Sequence, residues 1–224
     1  MPIKKIIAIG SAKGGVGKSS ITALLALSLS KHKKVGILDA DIYGPNQNIL
    51  FRLDSKNTIL NKKIMPAEKK GIKIISMGNI LNYDDAAIWR GPMLSGAIKK
   101  LINDTVWDNL DYLLIDMPPG TGDAYLTVFK ELNIDEFILI TTPNKLAISD
   151  TQKTITMLRK LNINILGFIS NNIFNVKNFD DSFFLSNKID HLGTYEFDKN
   201  ILDLNLDFNC LVSNKISKVI MSDV

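Results

Sequence analysis

One cysteine, Cys210, is all the thiol that the 224 residues contain. An internal disulfide is thereby excluded, and so is a thiolate-only metal cage built from one copy of the chain. Histidine is nearly as scarce: His32 and His191 stand alone, without ligand spacing, and both read as surface residues. No apolar run approaches the about 20 residues that a membrane-spanning helix requires, and the longest, "ITALLALSL", is broken by Ser and Thr. Nor does "MPIKKIIAIG" read as a signal peptide, because it runs without spacer or cleavage site into a glycine-rich turn and is better used as a first strand. The expectation is a cytoplasmic protein with no membrane span. Charge of one sign is also short: 27 basic against 23 acidic residues leave a net charge of only +4. The lysines fall in short clusters ("KHKK", "NKK", "EKKG") that solvate helix ends and turns, with no long basic run interleaved with aromatics, so nucleic acid is not an expected partner.

What the chain has is an alternating rhythm. With 46% hydrophobic and 22% charged residues it is long enough for one sizeable core and short for two, so residues 1–224 read as a single domain. Six nearly continuous apolar runs read as strands covered on both faces: "KIIAIG" (4–10), "KVGILD" (34–39), "IKIIS" (72–76), "YLLID" (112–116), "EFILITT" (136–142) and "ILGFIS" (165–170). Helical patterns lie between them at 18–31, 92–103, 123–132 and 146–161. This predicts an α/β fold, a doubly wound, mostly parallel sheet with helices on both faces. Segments 42–71 and 171–191 are polar and weakly periodic, and are expected to be long loops.

The stretch "GSAKGGVGKSS" (10–20) follows the first strand and opens the first long helix. The usual phosphate-loop spacing, G-x-x-x-x-G-K-[ST], wants glycine at position 12, where this chain has Ala12. In this setting the N–H groups of Gly14, Gly15, Val16 and Gly17 can curl around a β-phosphate at a helix N-terminus. Lys18 reaches the β- and γ-phosphates, the Ser19 hydroxyl is placed to ligate Mg²⁺, and Ser20 to contact the α-phosphate. The bland alternative is an ordinary strand-to-helix turn with its lysines in solvent.

A nucleotide site in an open α/β sheet asks for carboxylates at the carboxyl ends of neighbouring strands. "ILDADIYGP" supplies Asp39 and Asp41, and "LLIDMPPGTGD" supplies Asp116 ahead of a Pro-Gly loop. Asp116 is expected to hold a magnesium-bound water, Gly120 to offer its N–H toward a γ-phosphate, and Asp41 to orient the attacking water. Asp39 reads better as a cap of a turn or helix.

The second lysine of the loop, Lys13, is explained by resemblance. "KGGVGKS" resembles the deviant Walker A loop of the MinD/ParA/nitrogenase-iron-protein class of P-loop ATPases, in which that lysine reaches the phosphates of the facing subunit in an ATP-bound dimer. "VGILDADIYGPN", "AIWRGPMLSGAIKKLI", "DYLLIDMPPGTGDAYLT" and "TTPNKLAISD" together resemble the Mrp/ApbC family, ATP-dependent carriers or assembly scaffolds for iron–sulfur clusters. The resemblance implies slow Mg-ATP hydrolysis by a homodimer, with Lys13, Lys18 and Asp41 catalytic. It also implies Asp116 as a water-mediated Mg²⁺ ligand, Asn171 as the amide that reads adenine, and Asp150 near Lys13. Without the resemblance, Asn171 reads as a turn former at a strand end.

The family's C-x-x-C pair, which bridges an iron–sulfur cluster between two subunits, has no counterpart: "NIFNVKNFDDSFFLSNKIDHLG" (172–193) holds no cysteine. Cys210 reads as a small buried hydrophobe in "FNCLV". Two other readings therefore stay open. One is a positioning ATPase of the MinD/ParA kind, poorly supported because "NKISKVIMSDV" is short and weakly basic for a membrane helix. The other is a cluster-free regulatory ATP-binding partner that forms mixed dimers with a cysteine-bearing homologue or acts on iron–sulfur client proteins.

Overall fold

The computed structural model describes residues 3–53, 57–80, 91–177, 180–202 and 210–222. Ten strands are present among them: β1 (Ile3–Gly10), β2 (Val35–Asp39), β3 (Ile59–Leu60), β4 (Lys63–Ile64), β5 (Ala67–Lys69), β6 (Ile72–Ser76), β7 (Leu110–Asp116), β8 (Glu136–Thr141), β9 (Ile165–Asn172) and β10 (His191–Glu196). The helices are α1 (Lys18–Leu29), α2 (Gln47–Leu50), α3 (Gly91–Asp104), α4 (Asp123–Glu131), α5 (Lys145–Lys160), α6 (Ser182–Ser186), α7 (Lys199–Leu202) and α8 (Leu211–Ser222). Eight strands form one sheet in the order β10-β9-β8-β1-β7-β2-β6-β5, with β3 and β4 as a separate hairpin. Every pairing in the large sheet is parallel except β5 with β6.

Successive side chains of a strand point to opposite faces, so each apolar run feeds two cores. On β1, Ile6 and Ala8 join Leu94, Ile98, Val128 and Leu158 beneath α3, α4 and α5. Ile7 and Ile9 join Leu25, Leu50 and Ile216 beneath α1, α2 and α8. The sheet is thus doubly wound and mostly parallel, with helices on both faces. Among the described residues no helix is long and apolar enough to cross a membrane.

The two expected loops are more ordered than their sequences imply. Segment 42–71 contains α2, the β3–β4 hairpin and the antiparallel edge strand β5; segment 171–191 contains the end of β9, α6 and the start of β10. These pieces are one to five residues long within the segments, too short for a period to register. Helix α8 buries Ile216 and Ile220 and meets α1 through polar contacts: Ser28 donates to Asn214 Oδ1 at 2.7 Å and lies 2.9 Å from the Ser217 hydroxyl.

Candidate nucleotide site

The site is assembled where β1, β2 and β7 end. In a parallel sheet those ends share one edge, and the register places Ile9 beside Asp116 and Asp116 beside Asp39. The loop after β1 is shaped by Ser11, whose hydroxyl donates to the Lys13 carbonyl at 2.8 Å. It turns into α1 through Gly15 and Gly17 at φ 75 and 83, left-handed conformations that favour glycine. At Gly17 a side chain is excluded on a second ground, since a Cβ there would lie 2.2 Å from Asn171 Nδ2. Gly17 is also the N-cap of α1, with no side-chain cap. The first N–H groups of α1 are thus left without a capping side chain, the arrangement that suits an anion.

Behind the loop lies a buried charge cluster. Lys18 Nζ contacts Asp116 Oδ1 at 2.6 Å and Ser19 Oγ at 3.4 Å. Burial opposes the Lys18 charge, but Asp116, Asp39 and Asp41 outweigh it and hold the ammonium above its ordinary pKa. Asp39 is fully buried and accepts from the N–H of Asn46, of Gln47 and from the Ser76 hydroxyl, each at 3.0 Å. It caps α2 and ties it to β6. Burial and the neighbouring Asp116 push its carboxyl up to about 7 against those donors. Asp41 accepts from Gly44 N–H at 3.1 Å and borders the same cavity as the loop, and burial pushes its carboxyl above the usual range. This cavity, of about 320 Å³, is bordered by Lys13, Gly14, Lys18, Ser19, Ser20 and Asp41.

Lys13, Lys18, Ser19, Asp41 and Asp116 thus come together, and Lys13 pairs with Asp150 at 2.9 Å. Two expected contacts differ. The Gly120 N–H, at φ 84, donates to the Ser11 carbonyl at 3.3 Å, so it braces the loop and does not face the cavity through that proton. The Asn171 amide donates to the Val16 carbonyl at 2.8 Å, which fixes the far side of the loop. Asn171 does border a second cavity of about 360 Å³, shared with Gly15, Gly17, Ser20, Ile21 and Phe197. Of the "WRGPM" block, Trp89 and Arg90 lie outside the described residues.

Gln47 escaped the sequence reading. It is fully buried, and its Nε2 donates to Asp116 Oδ2 at 2.8 Å and to the Ser19 carbonyl at 3.0 Å. The only signal was its place just after "DIYGPN", in a segment read as loop.

The donor set does not fit an iron–sulfur cluster. Cys210 is half-buried and packs against the core beneath α1, and among the described residues no three His, Cys, Asp or Glu side chains converge as a metal group.

Comparison with known proteins gives the family and the fold. A family model described as ParA, NUBPL iron-transfer P-loop NTPase, matches residues 2–198. A Rickettsia conorii protein named iron-sulfur cluster carrier protein is 46% identical over 177 residues, which cover 79% of this chain and 56% of that protein. The chain thus spans little more than half the length of that curated relative. A nucleotide-binding protein from Archaeoglobus fulgidus, solved in complex with ADP, is 32% identical with a TM-score of 0.77, over 96% of this chain and 88% of that one. The cell division ATPase MinD of Pyrococcus furiosus shares the fold, with a TM-score of 0.78 at 21% identity over 100% of both chains. The chain belongs to the NUBPL iron-transfer P-loop NTPases of the ParA family.

Proposed function

We propose that this chain binds Mg-ATP at the carboxyl edge of its sheet, hydrolyses it slowly as a nucleotide-dependent homodimer, and serves iron–sulfur cluster assembly. The observation that carries the reading is the buried Lys18–Asp116 contact beneath an uncapped helix N-terminus, with Asp41 on the same cavity. A lysine already charged and held in place can exchange one carboxylate for a phosphate at little cost in reorganisation. Ser19 and, through water, Asp116 would hold Mg²⁺, whose chemistry there is to neutralise phosphate charge. Asp41 orients the attacking water. The cavity beside Asn171 and Phe197 takes the adenine base, with the oxygen of the Asn171 amide left to read it.

Asp41→Asn tests the assignment. ATP affinity, measured by calorimetry, is expected to stay within about threefold, while turnover falls by about 10²–10⁴, the range for loss of a group that acts on a proton in the transition state. Equal loss of affinity and turnover would move Asp41 from the water to the ground-state phosphate.

The dimer is tested at Lys13. Its pair with Asp150 is partly exposed and screened by solvent, so Lys13→Ala is expected to leave stability nearly unchanged. If Lys13 acts on the facing subunit, this variant binds ATP nearly as well yet loses turnover, and mixing it with Lys18→Ala restores part of it. Turnover per chain that stays constant on dilution of a demonstrably monomeric sample refutes the dimer.

The name of the Rickettsia relative supports iron–sulfur work. The lack of cysteine in residues 172–193 favours a particular form of it: pairing with a cysteine-bearing homologue, or acting on client proteins, in place of carrying the cluster alone. A positioning ATPase is disfavoured because α8 spends Ile216 and Ile220 on the core.

A further inference from the structure

We propose that Gln47 is a positioning residue for the magnesium site, fixing the orientation of the Asp116 carboxylate and tying it to the phosphate loop. The inference rests on the Mg-ATP reading above and adds a residue to it.

Three observations carry the assignment. The Gln47 side chain is fully buried, although glutamine is mostly found at surfaces, so its amide must be satisfied from within. Its orientation is fixed by chemistry: both near neighbours, Asp116 Oδ2 at 2.8 Å and the Ser19 carbonyl at 3.0 Å, are acceptors. Only the NH₂ end can face them, which rules out a flipped amide. Gln47 Oε1, by contrast, is buried with no hydrogen-bond partner in the protein. A bare buried acceptor costs free energy, and beside a site for a hydrated cation it suits a donor such as a metal-bound water.

The wiring says what the residue does. Asp116 is held at two oxygens by two different groups, Lys18 on Oδ1 and Gln47 on Oδ2. A lysine that moves to a phosphate releases Oδ1, whereas the amide can keep Oδ2 throughout. Asp116 then presents one oxygen in a constant direction, as outer ligands of a metal site require. The second Nε2 proton joins that carboxylate to the carbonyl of Ser19, whose hydroxyl is the other proposed magnesium contact. Gln47 also begins α2, six residues after Asp41, and its own N–H is held by Asp39 at 3.0 Å. One side chain thus links the two magnesium contacts to the segment that carries the water-orienting carboxylate.

Gln47→Met keeps the volume and removes both donors. Binding of a fluorescent ATP analogue is measured in EDTA and during a Mg²⁺ titration, with turnover followed over the same titration. The expected result is metal-free affinity within about twofold of wild type, a Mg²⁺ half-saturation raised about tenfold (about 1.4 kcal/mol), and turnover at saturating Mg²⁺ within about threefold of wild type. Gln47→Asn retains the donors on a shorter arm and is expected to fall between the two; it also serves as the test if the Met variant does not fold. A folded variant whose Mg²⁺ half-saturation is unchanged overturns the positioning role. Wild-type protein that binds the analogue identically with and without Mg²⁺ overturns the underlying site assignment as well, so the two failures are distinguishable.

Discussion

Lys18→Ala is expected to lose ATP binding and, in the same stroke, much of its stability. A hydrogen bond to a charged group contributes about 1.5–3 kcal/mol, so losing the lysine lowers affinity by at least about tenfold to a hundredfold, before the loss of its Coulomb attraction for the remaining phosphate oxygens. The stability cost has a separate origin. Lys18 is the buried partner of Asp116, which is 0% exposed and beside Asp39 in register, so its removal leaves two carboxylates facing each other out of reach of water. Breaking a buried pair from one side costs about 3–5 kcal/mol.

The sign of the pH dependence follows from Asp39. Its folded pKa is about 7, above the ordinary carboxyl value of 3.8, so the folded state holds a proton over that window that the unfolded state has released. Stability therefore falls as pH rises from about 4 to about 7. Lys18 opposes that rise, and without it the carboxyl moves higher still. Lys18→Ala should thus regain stability in mild acid, seen as a melting temperature closer to wild type at pH 5 than at pH 8. The double variant Lys18→Ala with Asp116→Asn removes the uncompensated charge and should recover most of the lost stability at neutral pH while still failing to bind ATP. Calorimetric ATP affinity equal to wild type in Lys18→Ala would remove the phosphate loop from the proposal, whatever the melting curves show.

The same cluster shows what a sequence can and cannot disclose. The strands 4–10, 34–39, 72–76, 112–116, 136–142 and 165–170 were legible because a strand buried on both faces must be apolar throughout, and all six lie in the eight-stranded sheet within a few residues. Lys18, Asp41 and Asp116 were legible for a geometric reason: ends of parallel strands share an edge, so residues far apart in sequence but equally placed after a strand must meet. Strand β10, "HLGTYE", was not legible, because an edge strand needs only Leu192 and Tyr195 inward. Helix α8 buries Ser213, against the Tyr195 hydroxyl, and Ser217, against Ser28 of α1, beside Ile216 and Ile220, and serines carry no apolar period. Partner choice was hidden as well. The Pro-Gly loop after Asp116 points to Gly120 as a phosphate contact and the family resemblance points to Asn171 as an adenine contact, but that their donors serve the carbonyls of Ser11 and Val16 depends on the packed loop. Gln47 belongs to the same class: a buried amide is invisible until both its acceptors are in place.

The remaining prediction concerns cargo. This chain, by itself, is expected not to hold a stable [4Fe–4S] cluster, although the Rickettsia relative it resembles is named as a carrier of iron–sulfur clusters. Such a cluster is held by four thiolates, and two copies of a chain with one cysteine supply two. Those two are badly disposed: Cys210 precedes α8 and packs against the core beneath α1, on the face of the sheet that the helix covers. Imidazole is a poor replacement, since His191 stacks on Phe168 at 4.5 Å and its Nε2 lies 3.1 Å from the Thr194 hydroxyl. Anaerobic reconstitution with ferrous iron and sulfide, then desalting and iron counting with absorbance in the thiolate-to-iron region, is expected to leave well under one iron per dimer. Mixing with a cysteine-bearing homologue in the presence of Mg-ATP is expected to leave cluster on the mixed dimer, in proportion to the homologue's thiolates. About four irons per dimer retained by this chain alone, and lost in Cys210→Ser, would make Cys210 a ligand and return the chain to the carriers.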